Sequence, residues 1–143
     1  MVIGAAMLIG PLVWPSRYLA APVWLGFIFL LDPINTRLGG PSLTADLRRR
    51  QYDRLINLML GGLLCGVLWE FWNYWSRAQW HYTVPIMEDV KIFEMPLLGY
   101  FGFPAFALEC FTMYVFVRLL WVRLKPDTPG GTPPRTLGRT IAL

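Results

Sequence analysis

Charged residues, histidine and cysteine are all scarce in this sequence of 143 residues. Charged side chains make up 15% of the chain, whereas a soluble domain usually contains about a quarter. The single histidine, His81, excludes a site in which two histidines of this chain hold a haem. The two cysteines, Cys65 and Cys110, lie inside apolar runs and lack the spacing typical of zinc or iron–sulfur sites. They are predicted to be small buried hydrophobic residues without a disulfide.

Recognisable catalytic and nucleotide-binding motifs are also absent from the sequence. It contains no Gly-rich phosphate loop, no Ser-His-Asp set and no metal-ligand spacing. The net charge is +4, but the basic residues are concentrated in residues 48–54 and 118–139, which indicates membrane orientation rather than binding to nucleic acid. No cofactor is identifiable, although the aromatic content of 15% is compatible with contact to a pigment or lipid.

Long apolar runs dominate the sequence instead. Hydrophobic residues make up 55% of the chain, and its mean hydropathy is +0.44. Residues 55–75 and 104–123 are apolar runs of about 20 residues, which at about 1.5 Å per residue cover the hydrocarbon core of a bilayer. Two shorter runs, residues 1–14 and 17–31, are separated by Pro15 and predict a helical hairpin. The pattern predicts an all-α polytopic transmembrane protein with about four spans.

The distribution of basic residues between loops predicts the orientation. Five arginines lie in residues 32–54, whereas residues 79–103 contain Lys91 alone. Because short cytoplasmic loops are enriched in Lys and Arg, the arginine-rich loop and both termini are predicted to be cytoplasmic. Residues 1–123 form the predicted membrane domain, and residues 124–143, rich in Pro and Gly, form a predicted cytoplasmic tail.

An apolar, glycine-containing segment at residues 95–103 precedes the last predicted span and is too short to cross a bilayer. Two arrangements are open for it. It is either a re-entrant segment shielded by neighbouring helices or a hairpin that lies in the headgroup region.

Each of the two long apolar runs contains one carboxylate, Glu70 in the first and Glu109 in the second. Charges at membrane depth are costly and often functional. Each carboxylate lies about five residues from the outer end of its predicted helix, so the two are expected at equal depth and meet if these helix faces pack together. Two such acids would share a proton and act as catalytic acids, with Glu94 of the outer loop as a third candidate.

A structural role for the same two carboxylates is the alternative. Glu70 would then pair with Arg77 or bond Asn73, which lie on one helix face with it. Glu109 would bond Thr112 or a backbone group across the helix pair. A polar contact between helices requires no substrate.

Three further features have a simple structural interpretation. Asp32, at the inner end of the second run, is predicted to form a local cap or turn. His81 is a weak candidate for binding the metal of a pigment, since a lone histidine in an aromatic loop is more often an interfacial residue. Gly61, Gly62 and Gly66 predict close approach of a second helix.

Several short words of the sequence resemble a group of uncharacterised bacterial polytopic membrane proteins. These words are LDPIN at residues 31–35, WEFWNYW at residues 69–75, WHY at residues 80–82 and FEMPLLG at residues 93–99. A looser likeness is to the small-helix lycopene cyclase type of carotenoid enzyme, in which a Trp/Tyr loop precedes a Pro-containing acidic segment and an apolar helix. That resemblance implies acid-catalysed chemistry on an isoprenoid. In this chain Glu94 precedes Pro96, and no paired acids follow the proline.

Two functional hypotheses follow from the sequence. The first is a non-catalytic accessory or stabilising subunit of a larger photosynthetic or respiratory membrane complex, whose partners are membrane lipids and other membrane protein subunits. It rests on the small size of the chain, on its two short apolar runs and on the lack of a cofactor motif. The alternative is a membrane-embedded enzyme that modifies an isoprenoid or other lipid with its intramembrane carboxylates, while tryptophan rings stabilise a carbocation.

Overall fold

The computed structural model describes residues 1–82 and 89–124. The helices are α1 (Val2–Val13), α2 (Ala20–Arg37), α3 (Leu43–Arg48), α4 (Asp53–Trp75) and α5 (Gly102–Leu124), and short 3-10 helices occupy Arg17–Leu19 and Leu97–Phe101. A two-residue antiparallel strand pair, β1 (Lys91–Ile92) with β2 (Met95–Pro96), lies between α4 and α5. The described chain is therefore mostly helical, as predicted, and the predicted tail falls outside it except for Leu124.

The four longer helices pack in the order α1, α2, α5, α4, so that α5 lies between α2 and α4. α1 and α2 form the predicted hairpin, in which Gly4 lies against the backbone of Gly26 and Leu30. α2 and α5 run parallel, since Trp24 stacks edge-on against Phe106 and, further along both helices, Asn35 bonds the Thr112 carbonyl. α1 and α4 form the two edges of this row.

Two helical stretches are long and apolar enough to cross a membrane, Asp53–Trp75 and Leu97–Leu124. They match the two long predicted spans, and Pro104 lies in the first turn of α5, as expected for its missing N–H. Only 17% of the most apolar window of each is buried within the protein, which leaves most of this surface for lipid or other proteins. Four spans are not established, because α1 has only 12 residues and α2 is not among the helices long and apolar enough to cross a membrane.

Glycines set the contact between α4 and α5, as predicted. A Cβ atom at Gly62 would lie 2.5 Å from the Phe103 carbonyl oxygen, and one at Gly66 would lie 2.7 Å from the Phe103 ring. Gly61 points away, with no atom within 4 Å of an added Cβ. Close approach of the two antiparallel helices therefore depends on two of the three glycines.

Asp32 forms a cap, as predicted, but for another helix rather than its own turn. Its carboxylate is 1% exposed and accepts hydrogen bonds from the amides of Leu43 and Thr44, both at 2.8 Å, at the start of α3. It also accepts from the hydroxyl of Ser42 at 2.8 Å, and Ser42 in turn caps the amide of Ala45. One carboxylate thus ties the end of α2 to the arginine-rich loop.

The apolar segment before α5 packs beside α4 instead of continuing beyond it. Met95, Pro96 and Tyr100 are buried, and the 3-10 helix Leu97–Phe101 contacts α4. The Tyr100 hydroxyl donates to the Ile92 carbonyl at 3.0 Å, which joins the strand pair to the 3-10 helix. Neighbouring helices therefore shield part of this segment, as the re-entrant alternative requires.

The prediction that Cys65 and Cys110 are buried was wrong. Both thiols are free and exposed on the protein surface, where they line an apolar groove between α4 and α5. The apolar runs predicted burial that does not occur, because most of the apolar surface of α4 and α5 faces outward from the protein.

Candidate functional site

The candidate site is a polar cluster around Glu70 at the outer end of α4. Glu70 is 0% exposed and follows Gly66 by one helical turn, so it lies on the face of α4 that the glycines turn toward α5. On this face Gly62 and Gly66 pack closely against α5, and Glu70 is the next residue one turn further along. The chain therefore places a single acid in a space from which water and lipid are excluded.

Two side chains donate hydrogen bonds to the same oxygen of Glu70. The Tyr82 hydroxyl donates to Oε1 at 2.6 Å, and the Asn73 amide donates to Oε1 at 3.4 Å. The indole N–H of Trp69 donates to the Tyr82 hydroxyl oxygen at 3.1 Å, so Tyr82 is held from both sides. The other carboxylate oxygen, Oε2, is buried without a hydrogen-bond partner among the described residues.

Asn73 fixes the loop that carries Tyr82. Its side-chain oxygen accepts from the amide of Trp80 at 2.6 Å, and its side-chain nitrogen donates to the Trp80 carbonyl at 2.9 Å. The Asn73 side chain thus bonds both the N–H and the C=O of Trp80, as a neighbouring backbone would. These two bonds hold the chain where it folds back over the end of α4. The position of Tyr82 two residues later follows directly from them.

His81 and Glu94 join the same loop to the strand pair. His81 Nδ1 lies 3.3 Å from Glu94 Oε2, and the histidine side chain is 67% exposed. Glu94 lies in the turn between β1 and β2, next to Phe93, whose φ of 57° is in the left-handed region. Two consecutive residues, His81 and Tyr82, thus reach Glu94 and Glu70 respectively. The proposed pigment-binding role of His81 stays a prediction.

Burial and the Glu70 carboxylate both raise the pKa of the Tyr82 phenol above its ordinary value of 10.0. Burial is the larger cause, because it disfavours the charged phenolate, and the hydrogen bond to Glu70 adds to it. The hydroxyl is therefore a proton donor throughout the physiological range. A raised pKa in the folded state contributes stability that is fully present below pH 10 and is lost as the pH rises above it.

Glu109 does not belong to this cluster, so the condition under which the two carboxylates would meet, direct packing of their two helix faces, is not fulfilled. Glu109 lies against the backbone of Phe27 in α2, on the side of α5 opposite to Ala107, which faces α4. Its Oε1 atom is buried and has no partner in the described part of the chain. Of the two partners that the structural alternative offered for Glu109, the bond to Thr112 is not made, since that hydroxyl donates to the Leu108 carbonyl. The backbone group next to Glu109 is that of Phe27 and belongs to α2 rather than to α4.

The predicted equal depth of the two acids was wrong. Gly62 packs against Phe103, and from this level Glu70 lies two turns toward the outer end while Glu109 lies the other way. Glu70 is eight residues from this level and Glu109 is six, so at about 1.5 Å per residue the two acids are separated by about 20 Å along the helix axes. The helix ends are staggered because the segment before α5 occupies the space beside the outer part of α4.

The structural alternative is confirmed in part. Glu70 bonds Asn73, as that alternative predicted, but it forms no ion pair with Arg77. Tyr82 and Trp69 were not among the predicted site residues. A tyrosine in the short aromatic loop WHY, seven residues after the end of a helix that carries a buried acid, is the signal that could have found one of them.

Tyr82→Phe is expected to lower the free energy of unfolding by about 1–3 kcal/mol, because it leaves buried Glu70 with one long hydrogen bond and Trp69 without an acceptor. The change is measured by thermal unfolding in mild detergent. Tyr18→Phe is the matched control, since the Tyr18 side chain is 64% exposed and only its backbone amide forms a hydrogen bond. Equal stability of the two variants would rule out a structural role for the Tyr82 hydroxyl.

Comparisons with protein families, with characterised proteins and with solved structures find no match to this chain. The resemblances described above therefore stay predictions. Within residues 1–82 and 89–124, no group of three His, Cys, Asp or Glu side chains lies close enough to hold a metal ion.

Proposed function

We propose that this chain is an integral membrane protein that acts as a non-catalytic accessory or stabilising subunit of a larger membrane complex. The observation that carries the proposal is the open row of helices, in which α4 packs on α5 by one face and leaves its remaining apolar surface uncovered. A single row of helices buries few apolar side chains, and the residues it buries completely are mostly polar. Further subunits would supply the missing second layer.

Aromatic side chains mark the uncovered edge of α4 as the best candidate for subunit contact. Trp72 and Trp75 are 65% and 71% exposed, and Trp69 and Phe71 are about half exposed beside them. Large aromatic side chains are enriched where protein surfaces meet, because they bury much area with few rotatable bonds. The hydrogen bonds of the Glu70 cluster hold the loop that follows α4, and so stabilise the end of the helix that carries these aromatic side chains.

The two apolar helices support the proposed membrane location, and the distribution of arginines supports the proposed orientation. On this proposal the loop that holds α3 is cytoplasmic, and the loop that holds Tyr82 faces the opposite side of a bacterial inner membrane. The type of complex, photosynthetic or respiratory, is part of the proposal and rests on the sequence alone.

Purification in mild detergent through a tag on this chain tests the proposal. Mass spectrometry of the purified material is expected to find other membrane proteins in stoichiometric amounts. Trp72→Ala combined with Trp75→Ala should reduce their recovery about tenfold, since each truncation at a contact costs about 1 kcal/mol or more. Trp14→Ala, at an exposed tryptophan beyond α1, is the control. A stable, monodisperse monomer without partners would contradict the subunit role.

One observation favours the enzyme as a second candidate. Glu70 Oε2 is a buried acid oxygen without a partner in the described ranges, beside the proton-donating hydroxyl of Tyr82. On this alternative Glu70 is the catalytic acid. Glu94 is linked to it through the loop, because Glu94 contacts His81 and the next residue, Tyr82, bonds Glu70. Glu109 would act at a separate place. An absorption spectrum and lipid analysis of the same purified material distinguish the two, because a lone protein with a bound polyene would favour the enzyme.

A further inference from the structure

A groove lies at the end of the molecule opposite to the Glu70 cluster, between the last turns of α5 and the turn that follows α2. It has a volume of about 210 Å³. Its floor is apolar and includes Val115, Leu119 and Val122. Gly40 allows the turn to lie directly on α5, since a Cβ atom there would lie 2.5 Å from a methyl group of Leu119. The groove is therefore built by close packing and is more than a gap between loops.

Two arginines line the groove, Arg118 and Arg123. Arg123 donates one hydrogen bond to the Leu38 carbonyl at 3.2 Å, which places its guanidinium across the groove. Arg118 is exposed and makes neither a hydrogen bond nor an ion pair with any residue in the described ranges. No carboxylate is among the lining residues, so within the described chain both charges are uncompensated.

We propose that this groove binds an anionic phospholipid, with an acyl chain along the apolar floor and the phosphate on Arg118 and Arg123. Guanidinium groups match phosphate oxygens with two parallel hydrogen bonds. The adjacent apolar groove suits a ligand that also carries a hydrocarbon chain. The same end of the molecule carries Arg37 in the last turn of α2 and the three arginines at 48–50. This concentration of positive charge complements the anionic surface of the cytoplasmic leaflet.

The inference rests on the membrane location proposed above and does not depend on the subunit role. The full chain is purified in mild detergent, and phosphatidylglycerol or phosphatidylcholine is titrated in while retained lipid is counted by native mass spectrometry. Preferential retention of phosphatidylglycerol is expected. Arg118→Gln should weaken that retention about fivefold, from the loss of one phosphate contact.

Arg77→Gln is the matched control, because Arg77 is also exposed, forms no hydrogen bond or ion pair with the described residues and lies at the other end of the molecule. It should leave phosphatidylglycerol retention unchanged. An equal loss in both variants would show a general charge effect and overturn the site, as would equal retention of the two lipids by the unmodified chain. Displacement by inorganic phosphate alone would show an anion site without a lipid. A protein that stays soluble without detergent would overturn the membrane location itself.

Discussion

Asp32→Ala is expected to lower the free energy of unfolding by about 3 kcal/mol, the largest effect of any single substitution considered for this chain. The carboxylate is 1% exposed and accepts bonds from the amides of Leu43 and Thr44 and from the hydroxyl of Ser42. Alanine leaves all three donors without this acceptor, and two of them, the Leu43 amide and the Ser42 hydroxyl, belong to buried residues where water cannot replace the lost bond. The melting temperature in detergent should fall by about 10 °C.

A second readout of the same variant is local. The arginines at 48–50 are already exposed, but release of α3 should loosen the backbone around them, so trypsin is expected to cut this loop faster than in the unmodified chain. Asp53→Asn is the control, because Asp53 is exposed in the first turn of α4 and contributes only about 0.5 kcal/mol through the helix dipole. Equal melting temperatures for the two variants would contradict the capping role of Asp32.

Gly62→Ala is expected to separate α4 from α5 and to lower the free energy of unfolding by about 2 kcal/mol. The added Cβ would lie 2.5 Å from the Phe103 carbonyl oxygen and 2.9 Å from the Ala107 Cβ. Both atoms belong to the body of α5, so no side-chain rotation relieves the clash and the helices must move apart. The higher helix propensity of alanine, about 1 kcal/mol, offsets only part of this cost.

Gly61→Ala provides the control for this prediction at the adjacent residue. No atom lies within 4 Å of a Cβ at Gly61, so the substitution is expected to be neutral or to stabilise α4 by up to about 1 kcal/mol. Thermal unfolding of the two variants should therefore shift in opposite directions. A stabilising effect of both substitutions would show that α4 and α5 do not pack through Gly62.

The candidate site could be predicted from the sequence only as far as Glu70 and its helix. The pairing of Glu70 with Asn73 depends on the spacing of residues along one helix, which the sequence determines. The pairing with Tyr82 depends on how the loop returns over the helix end, and the supposed meeting with Glu109 depended on how two helices are aligned. Neither the alignment of two helices nor the path of a loop is determined by nearby residues alone. Here both differ from the expectation because residues 95–101 pack beside α4.

The sequence by itself determined the helical character of the chain, the limits of α4 and α5, the close contact at the glycines and the capping role of Asp32. These depend on apolar run length, helix propensity and residue size, which act over a few residues. Only the tertiary structure decided which acid meets which partner and which apolar surfaces stay uncovered. α4 and α5 show only weak segregation of apolar side chains to one face, so their sequences do not distinguish a face that meets protein from one left uncovered.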